Sequence, residues 1–451
     1  MAAVYISAMH KSSGKTLVSL GVGAALTQRG VAVQTYKKGP DFIDPLWLSM
    51  ATGRACFNLD FHAMSHPEIS ALFHGRAGDF NLIEGNKGLY DGVDVAGADS
   101  NAALARLLGV AVVLVLDTRG MTRGIAPLIQ GYQGFESDID IAGVILNRVG
   151  GERHEGKLRA ALERYTDVPV LGAIGNQGAM AIAERHLGLI PANEAGAARE
   201  KIAAVARIVE QSVDLDALMG LGEPAREPVA AAPPNPKPDL RIAVARDAAF
   251  GFYYPDDLEA LKQAGAELLF IDTLHDADLP DVDGLFIGGG FPETQAPALA
   301  ANVSLRRRIR AALEAGLPAY GECGGLMYLC RGIEWRGQRH QMVGFVPGDV
   351  VMRERPVGRG YVRLRETGDA PWPAGGETLA AHEFHHAALE NLPRDMRYAY
   401  EVKRGHGIDG HNDGLVLGNL LAGFSHQRHS AQNPWAERFV AFVRQCRKRS
   451  I

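Results

Sequence analysis

An α/β fold in two domains is predicted by three observations. Short β-rich runs alternate with helical stretches over roughly the first 215 residues, a proline-rich stretch then breaks the pattern, and the alternation restarts at Arg241. Alternation of this kind implies a parallel, doubly wound sheet. A chain of 451 residues also exceeds what one hydrophobic core commonly supports, so two domains of roughly 200 residues each are expected.

The first strand candidate is Val4–Ser7. It runs into Ser12-Ser13-Gly14-Lys15-Thr16, followed by a helix with apolar positions at Leu17, Leu20 and Ala24. That is the strand–loop–helix context of a P-loop. Backbone N–H groups around Ser12, Ser13 and Gly14, aided by the helix dipole, hold phosphates there; Lys15 reaches the β/γ oxygens and Thr16 ligates Mg²⁺. The first glycine of the full pattern is replaced by Met9, and His10 and Lys11 stand in the loop in place of small residues. The competing reading is a solvated surface loop.

Val31–Tyr36, Asn81–Ile83, Val110–Leu116, Ile141–Leu146 and Val168–Leu171 are the further strand candidates. The unbroken apolar run from Val110 to Leu116 has the pattern of a central strand buried on both faces. The second strand leads into Lys37-Lys38-Gly39-Pro40-Asp41-Phe42-Ile43-Asp44-Pro45, and the third into Glu84-Gly85-Asn86-Lys87-Gly88-Leu89-Tyr90-Asp91-Gly92. Ligands gather past the C-terminal ends of strands in doubly wound sheets. Asp41 and Glu84, with Thr16 and phosphate oxygens, can complete the oxygen shell of Mg²⁺. The bland alternative is that Asp41 and Asp44 cap the following helix.

Prolines at 224, 228, 233, 234, 236 and 238 leave no room for a helix or strand and read as an extended linker. The expected division is 1–218, a linker over 219–240, and 241–451. After the linker come a strand at Arg241–Ala245, a helix at Leu258–Ala264 and a strand at Leu268–Ile271. Beyond about residue 340 the pattern turns β-rich and irregular, closing with a helix over Trp435–Cys446.

Ala319-Tyr320-Gly321-Glu322-Cys323-Gly324-Gly325-Leu326 is a strand-to-helix turn that lifts a nucleophile out of an α/β sheet. At a helix N-terminus the macrodipole and free N–H groups favour the thiolate. The glycine loop Gly288-Gly289-Gly290-Phe291-Pro292-Glu293 follows the apolar run Leu285–Ile287. Gly289 and Gly290, with Gly324, can aim N–H groups at a developing oxyanion. A cysteine elbow with an oxyanion loop points to thioester chemistry on an amide. In a chain that also carries a nucleotide loop, the amide nitrogen is expected to be released for use elsewhere in the molecule. His382-Glu383-Phe384-His385-His386 lacks HExxH spacing and reads as a strand with alternating polar faces, not as a metal site.

Composition narrows the partners. The net charge is −5, 47% of residues are hydrophobic and 22% are charged, which gives no reason to expect nucleic acid or an anionic membrane. No apolar run reaches the roughly 18 residues that cross a bilayer. The first residues lack the basic start and cleavage site of a signal peptide. Cys56, Cys323, Cys330 and Cys446 are scattered without CxxC pairs, which fits cytoplasmic usage with no disulfide framework or zinc site.

Taken together, these segments resemble the cobyrinic acid a,c-diamide synthase family, in which a dethiobiotin-synthetase-like P-loop domain is joined to a class I glutamine-amidotransferase-like domain. The resemblance covers nearly the whole chain in the same order. Lys37 to Pro45 matches the family's KxGPDxIDP element and Ile83 to Gly92 its IEGxxGLxDG element. Asn147-Arg148-Val149-Gly150 with Glu152-Arg153-His154, and Glu184 to Leu189, match further segments, as do GGGFPE, YGECGGLMYL and His382-Glu383-Phe384-His385.

The resemblance implies a reaction. ATP activates a carboxylate as an acyl phosphate, glutamine is hydrolysed at the cysteine, and ammonia converts two acetate side chains of a tetrapyrrole-derived macrocycle, a and c, to amides. By position, Glu84 and Asp91 fall where the family uses acidic residues around Mg²⁺, ATP and the substrate carboxylate, with Asp44 beside them. Lys15 and Lys37 neutralise charge on the transferred phosphoryl group, and Asn147 lies where the family contacts the base. His426 falls where the family has its catalytic histidine, with His429 as the lesser candidate. Residue 428 is arginine where typical class I amidotransferases place the acidic member of a Cys-His-Glu triad, so a backbone carbonyl or another side chain is left to orient His426. The implied partners are L-glutamine and a tetrapyrrole-derived polycarboxylate, with a homodimer as the oligomer considered.

Relatives that amidate sirohydrochlorin or sirohaem share this site chemistry, and Lys87 adds a cation close to where a polycarboxylate binds. A second class of reading is a P-loop regulatory ATPase of the partitioning type with a docking domain. It expects a lysine where His10 stands, and it leaves the Cys323 elbow without a purpose. Cobyric acid synthase generally lacks the GPDxID acidic pattern, and CTP synthase is a longer chain with a nucleotide substrate.

Overall fold

A computed structural model of the chain describes residues 2–176, 184–185, 188–189, 192, 197–222, 234–373 and 378–449. It divides into two compact units, Met1–Phe61 with Ser65–Ala232, and His62–Met64 with Pro233–Ile451. Of the expected linker, residues 223–233 lie outside the described residues, as do His186 and Leu187 of the Glu184–Leu189 segment.

In the first unit the elements run β1 (Ala2–Ala8), α1 (Lys15–Gln28), β2 (Val33–Lys38), α2 (Ile43–Thr52), β3 (Phe57–Leu59), α3 (His66–Arg76), β4 (Phe80–Glu84) and α4 (Asn101–Leu108). They continue with β5 (Ala111–Asp117), α5 (Ile125–Phe135), β6 (Ile141–Val149), α6 (Glu152–Tyr165), β7 (Val170–Gly175), the two-residue strands β8 (Glu184–Arg185) and β9 (Gly188–Leu189), α7 (Ala198–Ser212) and α8 (Leu215–Met219). Seven strands form one sheet in the order β3-β2-β4-β1-β5-β6-β7, and every neighbouring pair is parallel.

The sequence anticipates this sheet and misses only β3, a three-residue edge strand too short to show a period. Val112 to Val115 of the central strand are fully buried, as the unbroken apolar run implies. Helix α1 is buried along nearly its whole length and packs against α7 through Gly21. A Cβ there would stand 2.3 Å from Val209 Cγ2, so only glycine permits this approach. The sheet order puts β1, β2 and β4 side by side, which brings the P-loop, Lys37 and Glu84 to one end of the sheet.

In the second unit the order is β10 (Leu240–Ala245), β11 (Phe250–Phe252), α9 (Pro255–Gln263), β12 (Ala266–Ile271), β13 (Gly284–Ile287), β14 (Gly289–Gly290), α10 (Ala296–Ala301), α11 (Val303–Glu314), β15 (Ala319–Glu322) and α12 (Gly324–Leu329). There follow β16 (Cys330–Trp335), β17 (Gln338–Gln341), β18 (Val346–Met352), β19 (Gly358–Glu366), β20 (Thr378–His385), β21 (Ala387–Glu390), β22 (Arg397–Arg404), β23 (Asn412–Leu417), β24 (Leu420–Gly423), β25 (His426–Gln427) and α13 (Trp435–Arg449). A ten-stranded mixed sheet runs β12-β10-β13-β15-β24-β23-β22-β19-β20-β25. Its first five strands are parallel to one another and the rest pair antiparallel.

The expected polar alternation along β20 is not kept. His382, Glu383 and His385 are all buried, because the Glu383 carboxylate accepts the N–H groups of His406 (2.6 Å) and Gly407 (2.8 Å). A carboxylate with two backbone donors tolerates burial. Among the described residues no group of three or more His, Cys, Asp or Glu side chains is arranged to hold a metal ion.

Candidate active sites

At the nucleotide end, the loop between β1 and α1 turns through left-handed conformations at Ser12 (φ 66°) and Gly14 (φ 97°). Ser13 Oγ donates to His10 O at 2.9 Å. Asn147, at the end of β6, donates from Nδ2 to Ser13 O at 2.9 Å and accepts from Arg148 N at 2.9 Å. A Cβ on Gly14 would stand 2.1 Å from that Nδ2, so the glycine is what lets Asn147 sit under the loop. Lys15 donates to Lys87 O at 2.5 Å, tying the loop to the turn after β4. Burial lowers Lys15 to about 8, with Lys37 pushing in the same direction and Glu84, Asp44 and Asp91 opposing.

The acidic residues gather around Lys37. Its ammonium lies 2.6 Å from Asp44 Oδ2, 2.7 Å from Glu84 Oε1 and 3.9 Å from Asp41 Oδ2. Thr16 Oγ1 donates to the same Glu84 oxygen at 2.7 Å and lies 3.3 Å from Asp44 Oδ2. Burial pulls the pKa of Lys37 down, but Asp44, Glu84 and Asp41 outweigh it and raise it well above the ordinary value. Burial raises Glu84, with Asp44 adding to it and Lys37 opposing. Asp41 is pushed up to about 7 by burial and by Asp44. Its Oδ1 accepts from Ile43 N (2.8 Å) and Asp44 N (3.2 Å), so Asp41 does cap the first turn of α2. Asp44 does not; it turns to Lys37.

Glu84 Oε2 is buried with no hydrogen-bond partner, a sign that the site is built for a further positive group. Mg²⁺ keeps several waters and takes one or two protein carboxylates plus phosphate oxygens. The hydroxyl of Thr16 and the carboxylates of Glu84 and Asp41 are donors of the right kind, so the residues present fit it.

Three residues that sequence reading passed over hold these loops. Asn101, at the start of α4, donates to Asn86 O and Gly88 O, both at 2.6 Å, and accepts from Tyr5 OH at 2.9 Å. Tyr132 OH donates to Met9 O at 3.0 Å. Asp91 is exposed, and its carboxylate accepts from Gly88 N at 2.9 Å. None of the three holding residues (Asn101, Tyr5 and Tyr132) falls in a motif, and a buried Asn101 shows its role only once the loop is folded over it.

In the second unit Cys323 sits at φ 47°, ψ −100° between β15 and α12. Its amide donates to Gly423 O at 2.7 Å. The glycines around it are required by close approach. A Cβ on Gly325 would lie 2.0 Å from Ile287 O, and one on Gly324 would lie 3.1 Å from Gly290 N. Gly289 closes on His426, since its Cβ would meet His426 Cε1 at 2.5 Å. Three segments far apart in sequence, 288–290, 323–325 and 426, thus converge on one point. The Nδ1 of His426 lies 3.5 Å from Glu322 Oε2. Burial pulls the pKa of His426 down, but Cys323 and Glu322 hold it up at about 10. His429 lies elsewhere: its N–H donates to Asp257 Oδ1 at 2.9 Å, and its Nε2 is 3.9 Å from Glu437 Oε1. Arg428, buried, pairs with Asp256 at 2.5 Å.

Both halves match known domain families. Residues 6–189 match the CobQ/CobB/MinD/ParA nucleotide binding domain, and residues 241–434 match the CobB/CobQ-like glutamine amidotransferase domain. A nucleotide-binding unit joined to a glutaminase unit defines the class, a glutamine-hydrolysing carbon–nitrogen ligase. Among curated relatives, the cobyrinate a,c-diamide synthase of Magnetococcus marinus is 43% identical over 98% of this chain and 97% of its own. Those of Archaeoglobus fulgidus and Methanosarcina acetivorans are 40% and 39% identical, over 97% and 94% of this chain and 96% and 91% of their own. The chain belongs to the cobyrinate a,c-diamide synthase family. No helix among the described residues is long and apolar enough to cross a membrane.

Replacing Asn147 by alanine leaves the buried Ser13 carbonyl without its donor. Such a loss costs roughly 1–3 kcal/mol, so Asn147→Ala should weaken triphosphate binding by about tenfold in calorimetric titration, with glutamine hydrolysis unchanged.

Proposed function

We propose that the protein amidates the a and c acetate side chains of cobyrinic acid, using ATP to activate each carboxylate and glutamine as the source of ammonia. The observation that carries this reading is the presence, in one chain similar over nearly its whole length to cobyrinate a,c-diamide synthases, of a Cys–His elbow and a P-loop lined by Lys15, Lys37, Asp44 and Glu84. We also keep 1–218, 219–240 and 241–451 as the domain and linker boundaries.

In the glutaminase half, the Cys323 thiol gives its proton to His426 and the sulfur attacks the amide carbon of glutamine. The Gly289-Gly290 loop and Gly324 face the oxygen that gains charge. The C–N bond breaks as His426 returns the proton to nitrogen, releasing ammonia. Water, deprotonated by His426, then cleaves the thioester to glutamate.

In the synthetase half, the substrate carboxylate attacks the γ-phosphorus of ATP and ADP leaves. Ammonia then displaces phosphate from the acyl phosphate to give the amide. Lys15 and Lys37 offset charge on the transferred group, Ser12, Ser13 and Gly14 cradle phosphate oxygens, and Asp91 and Asp44 place the acceptor. Mg²⁺, held by Thr16, Asp41 and Glu84, would supply charge neutralisation between phosphate oxygens when bound.

A second substrate reading keeps the same chemistry on sirohydrochlorin or sirohaem. It is favoured by Lys87, whose side chain is exposed and whose own carbonyl accepts from Lys15. Supplying cobyrinic acid, sirohydrochlorin and sirohaem in turn separates the two by product mass, since each amidation replaces OH by NH₂. Two successive steps on cobyrinic acid alone are expected; amidation only of a sirohydrochlorin-type ring would overturn the first reading. Cys323→Ala should abolish product with glutamine and leave it with added ammonia. Glu84→Gln should stop amidation from either nitrogen source, by more than about a hundredfold if the carboxylate acts in phosphoryl transfer, while glutamine hydrolysis continues.

A further inference from the structure

We propose that Glu322, the residue immediately before the nucleophile, is the positioning residue for His426, filling the role that an acidic side chain two residues after the histidine fills in other amidotransferases of this class. The inference rests on the glutaminase reading of Cys323 and His426 and adds a third member to it.

The position after the base is closed to this role. Residue 428 is arginine, paired with Asp256 and lying over the Tyr254 ring at 4.6 Å. Glu322 approaches from the other side. Its Oε1 accepts the Tyr320 hydroxyl at 2.6 Å and the backbone N–H of Gln427 at 2.9 Å. The second donor belongs to the residue next to the base, so β25 fixes the carboxylate and carries the imidazole at once. With Oε1 held by two donors, Oε2 lies 3.5 Å from His426 Nδ1, and both side chains are buried. That distance is at the outer edge of a hydrogen bond, and it shortens when the imidazole takes the thiol proton and the attraction becomes charge-assisted.

A carboxylate on Nδ1 keeps the proton on that nitrogen and leaves Nε2 for the thiol. The ring has little freedom to turn away. His382 of β20 stacks on it, centroids 4.9 Å apart and planes at 16°, and Gly289 closes the edge at Cε1. The other groups facing this cluster do not replace Glu322. His382 is kept neutral by burial and by His426. Asp257 of α9 is occupied by His429 N and by Trp435 Nε1 at 3.1 Å. Tyr253 is a phenol engaged with Gly288 N at 2.9 Å, and Arg428 is a cation.

Glu322→Gln keeps the shape and removes the charge. Without the carboxylate the imidazolium loses its proton at lower pH, so the alkaline limb of glutaminase kcat/KM should move down by at least about one pH unit. The kcat for glutamine hydrolysis should fall on the order of a hundredfold, with KM for glutamine within twofold and ammonia-supported amidation unchanged. Glu322→Asp, which keeps the charge on a shorter arm, should recover part of kcat and leave the limb near its wild-type position. The proposal is overturned if the E322Q profile superimposes on that of the wild type, or if ammonia-supported and glutamine-supported amidation fall together, as a merely structural role requires. Failure of the underlying glutaminase reading looks different: the wild-type chain itself then hydrolyses no glutamine.

Discussion

The left-handed turn at Cys323 is the constraint from which the glutaminase site follows. A non-glycine residue at φ 47°, ψ −100° costs on the order of 1–3 kcal/mol and persists only where its surroundings over-determine it. Here the amide of Cys323 is tied to Gly423 O, and α12 is seated so close to β13 that a side chain at 325 would run into Ile287 O. Seating α12 this deep brings the loop after β13 against Gly324, and the same loop against His426. The proposed nucleophile, oxyanion loop and base are therefore consequences of one packing arrangement, and loss of Gly325 would disturb all three together.

The nucleotide unit meets a different constraint, that of charge. Lys37 and Glu84, at the ends of adjacent strands, meet Asp44 from the first turn of α2, where burial penalises every charged form. They remain compatible because Lys37 lies between the two carboxylates. The cluster is balanced for a cation, and Glu84 Oε2 still lacks a partner. Under the proposed function, a site of this kind would take Mg²⁺ and phosphates by exchanging one positive group for another. Asn101 and Asn147 hold the two loops from below by hydrogen bonds to backbone carbonyls, which leaves Lys15 and Thr16 as the side chains turned to the cluster.

Much of this was legible in the sequence, for identifiable reasons. The unbroken apolar run of β5, the P-loop and the Cys323 elbow are local signals, written in consecutive residues. The edge strand β3 and the burial of Glu383 are not local: one depends on pairing with β2, the other on N–H groups some twenty residues away. The same holds for Glu322. Tyr320 is a near neighbour, but Gln427 lies 105 residues further along, and with Arg428 in the usual place of the acid the sequence leaves the orienting group open between a backbone carbonyl and another side chain. One signal was available, a glutamate inside a strand that is otherwise buried, beside the nucleophile. Asn147, expected near the base of a nucleotide, also engages both ends of its amide with the backbone of Ser13 and Arg148, contacts that no motif announces.

The release of ammonia proposed for Cys323 is followed most directly by isotope labelling. Wild-type enzyme given ATP, the macrocycle and glutamine labelled with heavy nitrogen at the amide, in a buffer containing unlabelled ammonium, should yield product carrying the heavy label in each new amide. Product with unlabelled amides, formed while labelled glutamine is hydrolysed, would contradict it.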